Sequence, residues 1–110
     1  MQELSGRAEE FVQSLVIEDY GHAVGFFNDT MKGYMPALVV EKVWGQVVGT
    51  AGNYRKILKT ETKLHQNLCL AFVTVECSLT NFTLRIVFTH DGQITGLSFE
   101  PQKETRTSAG

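Results

Sequence analysis

Apolar residues in the first half of the chain recur at helical spacing. Leu4, Ala8, Phe11, Val12 and Leu15 fall on one face of a helix, with Arg7, Glu9, Glu10 and Gln13 on the other. Asp19 reads as the N-cap of a second helix, because its short carboxylate accepts an exposed backbone N–H. Ala23, Val24 and Phe27 line one face of that helix, with Phe26 beside them. The pattern loosens over residues 28–33. Pro36 suits the first turn of a third helix, where a missing N–H costs nothing. Val40, Val43, Trp44 and Val47 form its apolar stripe, and Gly52 is its stop, since glycine accepts a left-handed backbone.

The second half changes period. "NLCLAFVTVECS", "FTLRIVFTH" and "QITGLSFE" are rich in β-branched and aromatic residues, which predicts three strands. Asp91-Gly92 between two of them predicts a type I′ hairpin with a two-residue loop. That loop sets His90 opposite Gln93, Phe88 opposite Thr95, Ile86 opposite Leu97 and Leu84 opposite Phe99. The preceding "SLTN" connection predicts Cys77–Phe82, Val75–Leu84, Val73–Ile86 and Ala71–Phe88. Both turns gather the apolar residues on one face. "NYRKILKTETKLHQ" reads as a fourth strand, bulged where Ile57 and Leu58 break the alternation and charged enough for an edge. Its pairing register stays undetermined. The expectation is an α+β chain: three N-terminal helices, then a four-stranded antiparallel sheet.

The sheet's other face is mixed. Leu70, Phe72 and Val87 cluster toward one end; Thr74, Glu76, Thr83, Arg85, Ser98 and Glu100 lie toward the other, with Glu76 expected opposite Thr83. One reading is a solvated face whose exposed ion pairs stabilise by only about 0–1 kcal/mol each. The other is a subunit interface built on Leu70, Phe72, Arg85 and Val87, which makes the chain a homodimer.

Composition narrows the function classes. A chain of 110 residues suits one domain, taken here as residues 1–101, with a polar tail over 102–110 that reads as disordered or as a linker. Its net charge of −2 and lack of a basic run leave no electrostatic footprint for nucleic acid. No apolar run approaches the roughly 18 residues of a membrane span. The polar start carries no signal-peptide segment, so the numbered chain reads as cytoplasmic, or as extracytoplasmic if a leader was removed. Cys69 and Cys77 sit on one strand about 26 Å apart by strand rise, too far for a disulfide, and read as buried thiols.

Reactive groups are sparse. The three histidines, His22, His65 and His90, show no metal-ligand spacing, and neither cysteine stands near one in a ligand pattern. No catalytic residue, metal site or cofactor is assigned, and no G-x-S-x-G nucleophile elbow occurs.

The ordered set Asp19-Tyr20, Phe27, Met31-Lys32, Pro36, Trp44 and Gly52, closed by the Asp-Gly turn of "VFTHDGQITGLSFEP", resembles a bacterial domain of unknown function, number 3887, over about residues 5 to 101. The resemblance implies a cone-shaped fold of the nuclear-transport-factor-two-like or cystatin-like superfamily, with helices on a curved sheet. It also implies a partner domain in a longer chain, since members often precede an α/β-hydrolase. Cone-shaped relatives often hold a pocket between helices and sheet. Here Tyr20 and Tyr34 could reach it with polar tips, Trp44 could wall it, and Phe27 and Met31 complete the candidate set; the plainer reading makes all five core and rim packing. Gly45 and Gly49 are taken as marks of close helix packing. The function expected is non-catalytic: binding a small apolar ligand, or association as a homodimer. The alternative is a small isomerase or hydrolase acting on an apolar substrate, which needs a buried ionisable group facing a cavity. A spacer role in a longer chain is the third reading.

Overall fold

A computed structural model describes residues 2–101; the tail expected at 102–110 lies outside the described residues. Helices α1 (Gln2–Val16), α2 (Tyr20–Val24), α3 (Asp29–Tyr34) and α4 (Ala37–Ala51) precede strands β1 (Tyr54–His65), β2 (Leu68–Cys77), β3 (Asn81–Phe88) and β4 (Ile94–Pro101). The strands form one antiparallel sheet in the order β1-β2-β3-β4. The α+β class, the helices-first order and the four-stranded antiparallel sheet are as the sequence predicts.

Local signals explain the helix ends. The Asp19 carboxylate accepts from the His22 N–H at 3.1 Å, capping α2. That helix stops at Val24, so Phe26 and Phe27 lie beyond it. The expected connector carries a short helix of its own. Asn28 caps it, its side-chain oxygen accepting from the Met31 N–H at 3.0 Å. Between α1 and α2 the chain reverses through Glu18, whose φ is 63°, while the Asp19 and Glu18 N–H groups return to the Ser14 and Leu15 carbonyls at 2.9 and 3.0 Å. This closes the orphan carbonyls of α1.

The core lies between one face of the sheet and the apolar stripes of α1 and α4. Phe11, Val12, Leu15, Val73, Val75, Leu84, Ile86, Phe88 and Ile94 are fully buried. Cys77 is buried and Leu97 packs against the same cluster, so the predicted core face is the observed one. Polar clamps tie α1 to the sheet: Thr60 donates to the Glu9 carboxylate at 2.6 Å, and Gln13 to the Tyr54 hydroxyl at 3.1 Å. Arg7 donates to the Gly92 carbonyl at 2.9 Å, and its guanidinium lies 4.9 Å from the Phe26 ring centroid.

Three details of strand pairing differ from expectation. The β2–β3 turn is Ser78-Leu79, so Val75 pairs with Phe82, Val73 with Leu84, Cys69 with Phe88 and Glu76 with Asn81. This is a shift of two residues from the predicted pairing. A two-residue shift leaves every side chain on its own face, so the apolar pattern cannot detect it.

At the β3–β4 hairpin only Gly92 has positive φ, at 85°, and its N–H donates to the Thr89 carbonyl at 2.9 Å. The connection is a type I turn followed by a left-handed glycine, one residue longer than the predicted type I′ turn. A bulge at Thr95 restores the register, so Ile86–Leu97 and Leu84–Phe99 pair as predicted. Between turn and bulge, Ile94 replaces Thr95 opposite Phe88 and enters the core. On its other side Ile94 bridges residues 26–28. Its N–H donates to the Phe26 carbonyl at 2.7 Å, its carbonyl accepts from the Asn28 N–H at 2.9 Å, and the Asn28 amide donates to Thr95 Oγ1 at 3.0 Å. The run from Phe26 to Pro36 therefore seals the start of β4.

β1 is an edge strand with irregularities between Tyr54 and Lys56 and between Ile57 and Lys59, so its sequence-predicted bulging is present. Each extra residue swaps faces once.

Gly45 and Gly49 do not mark close packing. A methyl group at either position would meet nothing within 4 Å. Two exposed glycines inside a helix are destabilising through backbone entropy alone. Gly45→Ala combined with Gly49→Ala is expected to raise stability by about 1–2 kcal/mol, read as a higher thermal midpoint by circular dichroism.

Candidate functional site

A groove of about 400 Å³ lies between α4 and the ends of β3 and β4. Val43, Gln46, Val47, Thr50 and Ala51 form its helical wall; Thr80, Asn81, Phe82, Phe99, Glu100 and Pro101 form the other. Residues 26–28 cover the start of β4, whereas its far end faces α4 across this gap.

The groove's inner end is held rigidly. The Ala51 carbonyl, left unpaired by the end of α4, accepts from the Leu79 and Thr80 N–H groups at 2.8 and 3.1 Å. Ser78 Oγ accepts from the Asn53 N–H at 2.9 Å. Gly52, at φ 95°, brings helix and turn together. The floor is aromatic. Trp44 is 4% exposed, and its ring lies 6.1 Å from Phe82 and 6.3 Å from Phe99, the two rings that face the groove.

The sequence-predicted pocket residues do not converge there. Phe27 and Met31 are buried, with Phe27 5.9 Å from the Phe11 ring. Tyr34 is 63% exposed. Tyr20 is half-buried against the core; burial raises its phenol pKa, and the Glu18 and Glu41 carboxylates add to the rise. Only Trp44 comes near the groove: it does not line it but packs behind the lining rings of Phe82 and Phe99. Its true walls were legible only in part: Val43 and Val47 belong to the predicted stripe, but their facing Phe99 and Pro101 follows from packing.

The four interface candidates do come together. Leu70 pairs with Val87 and Phe72 with Arg85, making one contiguous patch on the sheet face away from the helices. Thr74, not Glu76, stands opposite Thr83, which corrects the expected charge ladder.

Ionisable groups are scattered. His22 Nε2 is 3.2 Å from Glu10 at the surface, and His65 and His90 are exposed. Burial raises the Cys77 thiol pKa, and the Glu76 carboxylate adds to it, which keeps the sulfur protonated and unreactive near neutrality. Among the described residues no three His, Cys, Asp or Glu side chains gather as metal ligands, and no helix is long and apolar enough to cross a membrane.

The sequence profile of the family described as "Protein of unknown function (DUF3887)" matches residues 8–97. The chain belongs to this family. The match takes in all four helices except the first residues of α1, and the sheet as far as Leu97, so the DUF3887 region includes α4 and β3 but stops short of the Phe99–Pro101 wall. No curated protein and no solved structure matches the chain.

Proposed function

We propose that this DUF3887 domain is a non-catalytic binding module whose groove between α4 and β3–β4 takes a small, mainly apolar molecule. One observation carries the reading. The groove has the volume of a small-molecule site and walls of Val43, Val47, Ala51, Phe82, Phe99 and Pro101, and Glu100 is the sole ionisable side chain among its lining residues. A lone exposed carboxylate without a second acid or base beside it supports binding over proton-transfer chemistry. Gln46, Thr50, Thr80 and Asn81 add hydrogen-bonding groups around the apolar surface. A neutral ligand with one or two amide or hydroxyl groups fits this lining.

Trp44, the single tryptophan, reports on the site because Phe82 and Phe99 lie between it and the groove. Titration with the neutral apolar dye N-phenyl-1-naphthylamine is expected to quench Trp44 emission in a saturable way. Thr50→Phe fills the groove from its exposed rim and is expected to weaken that binding about tenfold, a change of about 1.4 kcal/mol. Saturation with the same affinity in both proteins, or no response of Trp44, overturns the reading.

A further inference from the structure

The sheet face turned away from the helices has its own pattern, which meets the groove lining at Glu100. The pairings divide it into rows that run across the strands. Glu61, Phe72, Arg85 and Ser98 form one row; Lys59, Thr74, Thr83 and Glu100 form the next; Lys63, Leu70, Val87 and Gly96 lie on the other side. Lys59 and Glu61 share this face, their charged groups 3.7 Å apart. The apolar side chains are central and half-buried; Lys59, Glu61, Lys63 and Glu100 lie on the edge strands, while Glu76 and Arg85 stand on the central ones.

We propose that this face is the interface between two copies of the chain, related by a two-fold axis that runs parallel to the strands between β2 and β3. Such an axis lays β1 of one copy over β4 of the other and keeps each row at its own height. Lys59 then faces Glu100 of the second copy, twice by symmetry. Phe72 faces Arg85, placing an aromatic ring against a guanidinium. Leu70 faces Val87, and Glu61 faces Ser98.

The alternative two-fold axis, perpendicular to the strands, lays β1 over β1. Centred on the Phe72 row, it sets Lys59 against Lys63, Glu61 against Glu61 and Arg85 against Arg85. Like charges meet at each of these positions, which is costly on a partly desolvated surface. A centre between this row and the next pairs Lys59 with Glu61 but leaves Glu100 facing Ser98, so there Glu100→Lys would not weaken the dimer and the double variant would not restore it. Extent supports an interface on this face with either axis: four strands about 4.8 Å apart and roughly 30 Å long give about 500 Å² per copy, so a pair buries on the order of 1,000 Å², the lower bound for a specific interface.

Charge reversal tests both the dimer and its axis. Light scattering after size exclusion at micromolar concentration is expected to give twice the chain mass. Lys59→Glu alone and Glu100→Lys alone each place like charges together at two symmetric positions and are expected to raise the dissociation constant about tenfold. The double variant Lys59→Glu/Glu100→Lys restores the pairs and is expected to return the affinity toward that of the original chain. Both changed positions are exposed, so circular dichroism should stay unchanged in all three variants. A monomeric original chain overturns the interface. A dimer that Lys59→Glu leaves unaffected, or tightens by pairing with Lys63, overturns the axis. Glu100 also lines the groove, so dye binding is compared in the original chain and in Lys59→Glu, whose position lies outside the lining, and either proposal can then fail alone.

Discussion

Gly52→Ala is expected to lower the unfolding free energy by about 2–4 kcal/mol. Gly52 has φ 95°, which an L side chain adopts only under strain. A Cβ there would lie 2.2 Å from Ser78 Oγ and 2.8 Å from the Leu79 nitrogen. Ser78 could rotate away, but the Leu79 amide cannot, because it already donates to the Ala51 carbonyl at 2.8 Å. Relief therefore requires the helix end to separate from the β2–β3 turn, which leaves that carbonyl without its donors. At about 4–8 °C per kcal/mol for a domain of this size, the thermal midpoint should fall by roughly 8–32 °C. Ala51 and Thr80 line the groove, so dye affinity should fall with stability. The same exchange at Gly45, on the same helix, has the opposite expected sign because its Cβ meets nothing. A loss below about 1 kcal/mol at Gly52 would show that the junction yields easily.

Phe27→Ala should cost still more, about 3–5 kcal/mol. The side chain is fully buried, packs 5.9 Å from the Phe11 ring, and sits in the segment that bridges Ile94. The surroundings are pinned by backbone hydrogen bonds on both sides, so the cavity left behind cannot readily collapse. Marginal stability makes a loss of this size a large share of the total. Tyr34→Ala provides the contrast. At 63% exposed it should stay within about 0.5 kcal/mol of the original chain. Denaturant unfolding of both variants separates a core role for Phe27 from a pocket role, since a ligand-facing wall would tolerate the change far better.

These two positions were legible to different degrees. Gly52 could be read as a helix stop from its place after the Val40–Val47 stripe, but the turn that presses on it is 26 residues further along the chain. Phe27 could be read as apolar and near a helix end. Its place beside β4 depends on a one-residue extension of the hairpin loop and a compensating bulge at Thr95. The same pair of irregularities exchanged Thr95 for Ile94 in the core.

Alternation along the strands determined which residues face the helices, because side-chain period is two and one face must leave water. Helical spacing, caps and glycine stops determined the element order and most helix boundaries, because these forces act within a few residues. Pairing partners and the groove were decided only in three dimensions. A strand shifted by two residues buries the same face equally well, so the choice falls to contacts made elsewhere: the Ala51 carbonyl selects the Ser78-Leu79 turn, and residues 26–28 pair with the start of β4 beside its bulge. The groove exists because α4 and the far end of β4 face each other across a gap, a relation between segments some 50 residues apart that no local pattern encodes.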